Sequence, residues 1–166
     1  MYFQTSFSGY LTVNHTYNNN LFFWFFPAQN KPSAAPIIVW LQGGPGWPSM
    51  YGLFKENGPF LVGWDPILAK NTLLSNIYSW NLNHNMLYID NPVQTGLSFT
   101  EDTKNGIPTS DEQLANELLE GLTQFMLLLP FMITGVEPSQ TPLYAFGESY
   151  GGAYVVSLAH VYLTQR

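Results

Sequence analysis

The sequence predicts an α/β fold with a mainly parallel central sheet, entered through an antiparallel hairpin and covered by helices. Three observations carry that prediction. Short apolar runs at residues 37–41, 86–90 and 143–146 read as buried strands bounded by glycine, proline and asparagine. Residues 114–129 place apolar side chains at helical spacing. A tight turn, Gly147-Glu148-Ser149-Tyr150-Gly151, joins the last apolar run to a second helix-like stretch at 152–163.

Taken in order, residues 11–13 and 21–26 flank the turn-forming Tyr17-Asn18-Asn19-Asn20 and read as the hairpin. The run Ile37-Ile38-Val39-Trp40-Leu41 is a buried strand that feeds straight into Gln42-Gly43-Gly44-Pro45-Gly46. Glycine and proline then punctuate 45–80, which reads as a long loop region before the strand at 86–90. Thr109 followed by Glu112 is a capping-box signature. It opens a helix whose Leu114, Leu118, Leu122, Phe125, Met126 and Leu129 recur on one face until Pro130. The apolar stretch 125–133 is shorter than the roughly 20 residues a membrane span needs and is interrupted by Pro130, so no membrane association is expected. No internal repeat is visible, and 1–166 reads as part of one domain.

Composition excludes other classes. With 46% hydrophobic and 16% aromatic residues the chain can build a sizeable core, which a disordered chain cannot. Only 10% of residues are charged, the net charge is −6, and no basic stripe exists, which excludes nucleic acid as a partner. An acidic, lightly charged chain suits the extracellular space or an acidic compartment. No cysteine is present, and neither a metal nor a cofactor is expected.

The chemistry concentrates at the turn around Ser149. A strand feeding Gly-x-Ser-x-Gly and then a helix is the nucleophile elbow of an α/β-hydrolase, in which side chains at Gly147 and Gly151 would collide with the turn that lifts the serine hydroxyl out of the sheet. The glycine-rich loop after residues 37–41 is the expected source of a second backbone donor for an oxyanion hole. On this fold the acid and histidine follow the nucleophile. After Ser149 the only histidine is His160, which a helix would carry about 16 Å along its axis, too far to act as the base. His15 and His84 precede the serine in polar turns. No triad closes within these residues.

Five segments, Trp40-Leu41-Gln42-Gly43-Gly44-Pro45-Gly46, Glu56-Asn57-Gly58-Pro59, Tyr78-Ser79-Trp80-Asn81, Tyr88-Ile89-Asp90-Asn91-Pro92 and Gly147-Glu148-Ser149-Tyr150-Gly151, give the chain a specific resemblance. In that order and spacing they resemble the N-terminal part of the serine carboxypeptidases, nearest to the vitellogenic-like members. The resemblance runs from Gly9 onward and implies an enzyme that releases C-terminal amino acids from peptides through an acyl-enzyme at acidic pH. It implies Ser149 as nucleophile and the backbone amides of Gly44 and Tyr150 as oxyanion donors. Gln42, Gly43, Glu56 and Glu148 would bind the substrate carboxylate, and Trp40 would line the substrate pocket. Carboxyl groups crowded against a third on the substrate cannot all stay ionised, so at least one is expected to be neutral and to donate a hydrogen bond, weakening binding as pH rises. Asp90 is left to hold the turn after it. The chain departs from the family at two places. Gln42 is one methylene longer than the usual Asn, and Gly46-Trp47-Pro48-Ser49 stands where many members read Gly-Cys-Ser-Ser, excluding a disulfide there.

The family's chains are more than twice as long, so the chain is expected to stop after the elbow helix and to lack its own leader, since Met1-Tyr2-Phe3-Gln4 has no basic start and apolar core. The missing acid and histidine would come from the remainder of a parent polypeptide or from a second chain. Asn14-His15-Thr16 is a glycosylation sequon, which fits a secreted or lysosomal protein. Two other readings stand beside the enzyme: a catalytically inactive truncated isoform or pseudoenzyme that binds peptide or protein C-termini, and a lipase or esterase, which Glu148 and Gln42 disfavour. A sheet stopping after residues 143–146 would leave them as an open apolar edge, prone to aggregate or to pair with a second chain.

Overall fold

The computed structural model describes residues 4–67 and 69–165. Strands β1 (Phe7–Asn14) and β2 (Asn19–Phe26) form the expected hairpin, with β1 starting four residues earlier and both strands running further into the turn than the sequence suggested, Phe7 opposite Phe25 and Leu11 opposite Leu21. Next come β3 (Ile37–Leu41), α1 (Met50–Lys55), the strand pair β4 (Phe60–Asp65) and β5 (Lys70–Ser75), and β6 (Asn85–Ile89). Then α2 (Asp111–Met132), β7 (Leu143–Gly147) and α3 (Gly151–Thr164) complete the described order.

The main sheet runs β1-β2-β6-β3-β7. The β6, β3 and β7 strands are parallel, and β2 joins β6 antiparallel, so the predicted mixture of a parallel centre and an antiparallel entry is present. Side chains alternate across this sheet because the strand repeat is two. Ile37, Val39, Leu41, Leu87 and Ile89 point to one face, where α2 and α3 cover them with Leu118, Phe125, Tyr154 and Leu158. Ile38, Trp40, Met86 and Tyr88 point to the other, against Leu53 of α1. Strands buried on both faces read as unbroken apolar runs, which is why 37–41 and 86–90 were legible.

Three expectations need correction. The region 45–80 is not one loop: it holds α1 and the β4–β5 hairpin, which pairs only with itself. Its Gly58, Gly63 and Pro66 look like loop punctuation, and its exposed Trp64, Leu73 and Leu74 give no half-buried alternation. The cap of α2 is shifted by one residue. Ser110, not Thr109, accepts from the backbone of Gln113 (3.2 Å), while the Gln113 side chain reaches back to the Thr109 amide (2.9 Å). The helix also continues past Pro130 to Met132; the ring sits on the exposed side in the last turn, where one lost hydrogen bond is tolerated. Among the described residues no helix is long and apolar enough to cross a membrane.

Candidate active site

The chain moves from β3 to β6 on one side of it, then through α2 to β7 on the other. The C-terminal ends of β3 and β7 therefore meet at a topological switch point, where open α/β sheets place their sites. Leu41 pairs with Gly147, and the Glu148 amide donates to the Leu41 carbonyl (3.2 Å), so the loop after β3 and the elbow after β7 leave the sheet side by side.

At the elbow Ser149 has φ +55°, a left-handed conformation that costs a non-glycine residue about 1–3 kcal/mol and persists only where its surroundings enforce it. They do so through close backbone approach. A Cβ on Gly147 would strike Gly151, one on Gly151 would strike the Leu41 carbonyl, and one on Gly43 would lie 2.8 Å from the Ser149 Cβ and 2.7 Å from the Tyr150 nitrogen. Ser149 is exposed at the start of α3, whose dipole favours negative charge there. Among the described residues neither the Gly44 nor the Tyr150 amide is engaged by a hydrogen bond. Gly44 takes φ +108°, open to glycine. Two unengaged amides beside an exposed hydroxyl at a helix N-terminus make an arrangement able to stabilise an oxyanion.

A second cluster adjoins this one. Gln42 Nε2 donates to Glu148 (2.7 Å) and lies 3.5 Å from Glu56, joining residues that stand 106 and 14 positions apart. Burial, then the neighbouring Glu148 carboxyl, raises Glu56 to about 7, against a lowering hydrogen bond from Gln42. The site thus holds Glu56 as a neutral acid beside Glu148 through the acidic range. Trp40, expected in the substrate pocket, is only 9% exposed. Its indole donates to Gln42 Oε1 (2.9 Å), which turns the amide nitrogen toward the glutamates. The structure brings together Gln42, Glu56 and Glu148, and separately Gly43, Ser149 and Tyr150, with Gly44 the next residue of the loop, at neighbouring strand ends.

Asp90 is buried and accepts from Leu97 (3.0 Å) and Met50 (3.4 Å), fixing its turn to α1. His15 lies in an exposed turn, His84 is half-buried in a bend, and His160 is exposed on α3. None of them bonds Ser149. Asn14 is half-buried and closes a turn by accepting from Thr16 (3.0 Å) and Tyr17 (3.4 Å). Sequence reasoning missed two supports. Buried Ser49 links the Gln42 amide (3.1 Å) to the Ile89 carbonyl, and Asp111 receives the Tyr150 hydroxyl (3.2 Å), tethering the elbow to α2. Asp111 is a single polar side chain with no motif to mark it, and the segment that contains Ser49 does not say which strands its hydroxyl will join. Among the described residues no group of His, Cys, Asp and Glu could hold a metal ion.

A family profile described as serine carboxypeptidase matches residues 2–166. The chain belongs to the serine carboxypeptidase family. It is similar to the venom serine carboxypeptidase of Apis mellifera, at 51% identity over 94% of this chain and 31% of that protein. It is similar also to the vitellogenic carboxypeptidase of Aedes aegypti, at 44% identity over 93% of this chain and 30% of that protein. Among solved structures it matches Kex1, a prohormone-processing carboxypeptidase of Saccharomyces cerevisiae, with TM-score 0.79 and 28% identity over 98% of this chain and 34% of that one. A bacterial heroin esterase shares the fold, with TM-score 0.55 and 13% identity. This serine carboxypeptidase chain therefore has the α/β-hydrolase fold and spans about 30% of the length of the curated relatives it matches.

Proposed function

We propose that the chain carries the nucleophile and the C-terminus-sensing half of a serine carboxypeptidase site, acting on peptides and protein C-termini. The observation that supports this most is the adjacency of two clusters: Ser149 with two unengaged amides, and Gln42 bonded to a pair of glutamates one of which is raised to about 7. Ser149 attacks the carbonyl carbon of the last peptide bond, and the Gly44 and Tyr150 amides take the negative charge that forms on its oxygen. Collapse breaks the C–N bond, the proton from Ser149 reaches the leaving amine through a base, and water then releases the acyl group. Gln42, neutral Glu56 and Glu148 hold the terminal carboxylate at the Gly43 end. That fixes cleavage one residue from the terminus and favours acidic pH. The acid and base come from the rest of a parent polypeptide or from a second chain. A secreted or lysosomal setting, with Asn14 as a glycosylation site, suits a protein working at that pH.

A second reading is a protein that binds C-termini without cleaving them; among the described residues no histidine bonds Ser149. Incubating the full parent protein with an N-acylated Phe-Leu at pH 5 separates the two. The enzyme reading predicts release of leucine that Ser149→Ala abolishes; an intact substrate with a folded protein supports the binding reading instead.

A further inference from the structure

Glu56 and Asn57 follow α1 and lie over two neighbouring strands. Glu56 meets Gln42, just past the end of β3, while Asn57 meets Tyr88 of β6; Trp40 and Tyr88 are direct cross-strand partners on that face. Tyr88 is fully buried, and its hydroxyl donates to Asn57 Oδ1 at 2.8 Å. The backbone around this pair is pinned as well. Asn76 donates to the Glu56 carbonyl (3.2 Å), and the Trp80 amide and Ser79 hydroxyl donate to the Asn57 carbonyl (3.0 and 3.3 Å). Two buried atoms among the described residues are left without partners here, Asn57 Nδ2 and Glu56 Oε2. One is a donor and the other an acceptor, on consecutive residues. Buried polar atoms are costly unpaired, and a bridging water commonly satisfies such atoms.

We propose that Tyr88 is a positioning residue for the Glu56 carboxyl, acting through Asn57: by occupying the amide oxygen it leaves the amide nitrogen as the group offered to Glu56. Without the hydroxyl the Asn57 amide is free to turn over and present its oxygen, which can only accept from Glu56 and so favours the protonated acid. The other groups facing Glu56 are Glu148 from the elbow, which opposes its ionisation, and Gln42, which supports it. The neighbouring Lys55 ammonium is turned to the Val62 carbonyl (3.3 Å). Burial and the nearness of Glu56 both raise the Tyr88 hydroxyl, so it stays a neutral donor throughout the working range. The consequence for substrate binding, though not the contact itself, rests on the carboxylate-sensing role proposed for Glu56.

The test is a carbon-13 titration of the Glu56 side-chain carboxyl in the ligand-free chain. Tyr88→Phe should raise its midpoint by ~0.5 pH unit or more. Asn57→Ala, which removes the same donor, should raise it too, and the double variant should match Asn57→Ala alone, because Tyr88 acts through that amide. A midpoint unmoved or lowered in Tyr88→Phe, or shifts that add in the double variant, would overturn the inference. If Tyr88→Phe does not fold, Asn57→Ala decides, and an unmoved midpoint there overturns it equally. Because no ligand is present, failure of the carboxypeptidase reading is seen separately, as a chain that titrates as stated yet shows no preference for a free carboxylate over its amide.

Discussion

Glu56 carries the pH dependence of the site. Its folded value, about 7, lies above the ordinary 4.5, so the folded chain holds a proton that the unfolded chain gives up between those limits. The stability it contributes is therefore complete below pH 4.5 and is lost as pH rises through 7. Glu56→Gln, which stays neutral throughout, should remove this loss. The urea midpoint of the parent chain, measured at pH 4.5 and pH 8, should fall more than that of Glu56→Gln; parallel behaviour would show that the carboxyl is not held neutral. Little of this was legible without the family resemblance. Nothing in residue type or spacing says that Gln42 will touch a glutamate 106 positions away, because the contact depends on which strands become neighbours. The Trp40 bond to Gln42 escaped for another reason: an aromatic side chain two residues before a glycine loop looks equally like pocket wall or core, and only burial decides.

At the scale of elements, the elbow depends on how closely α3 approaches β3, and two adjacent glycines separate that requirement from helix propensity. At Gly151 a Cβ would strike the Leu41 carbonyl, whereas at Gly152 none would find an atom within 4 Å. Gly151→Ala should then destabilise by about 1–3 kcal/mol through overpacking. Gly152→Ala should stabilise by about 0.5–1 kcal/mol, since alanine loses less entropy in a helix. Chemical denaturation of both variants checks the contrast, and equal effects would contradict it. The strands β3 and β6 were readable to within a residue because burial on both faces writes itself as an apolar run, and β7 because Leu143 to Phe146 are all apolar although Tyr144 and Phe146 are exposed at the sheet edge. The short α1 was not, because Gly52 sits in its middle, packed against the Trp40 ring, and six residues give periodicity little room. Thr109-x-x-Glu112 and Ser110-x-x-Gln113 both satisfy the capping pattern, so geometry alone chose the second.

Across the whole molecule, β7 is the outer strand of the sheet beside β3, with Tyr144 and Phe146 largely exposed and Phe146 stacked edge-on to Trp80 at 5.5 Å. An unpaired apolar edge is a template for another strand. The 166-residue chain by itself should accordingly self-associate, with an elution volume that depends on concentration; a monomer at all concentrations tested would contradict this. The same strand order that leaves this edge open also creates the site, because reversal of direction around β3 places the loop at Gly43 and the elbow at Ser149 in one crevice. That crevice is claimed to recognise the end of a peptide. The most direct test is the affinity of Ser149→Ala for an N-acylated Phe-Leu with a free carboxylate against the same compound as its amide, at pH 5 and pH 8. The account predicts the free acid to bind at least about tenfold tighter at pH 5, with the advantage shrinking by pH 8 as Glu56 ionises. Equal affinity for acid and amide at pH 5 would contradict it.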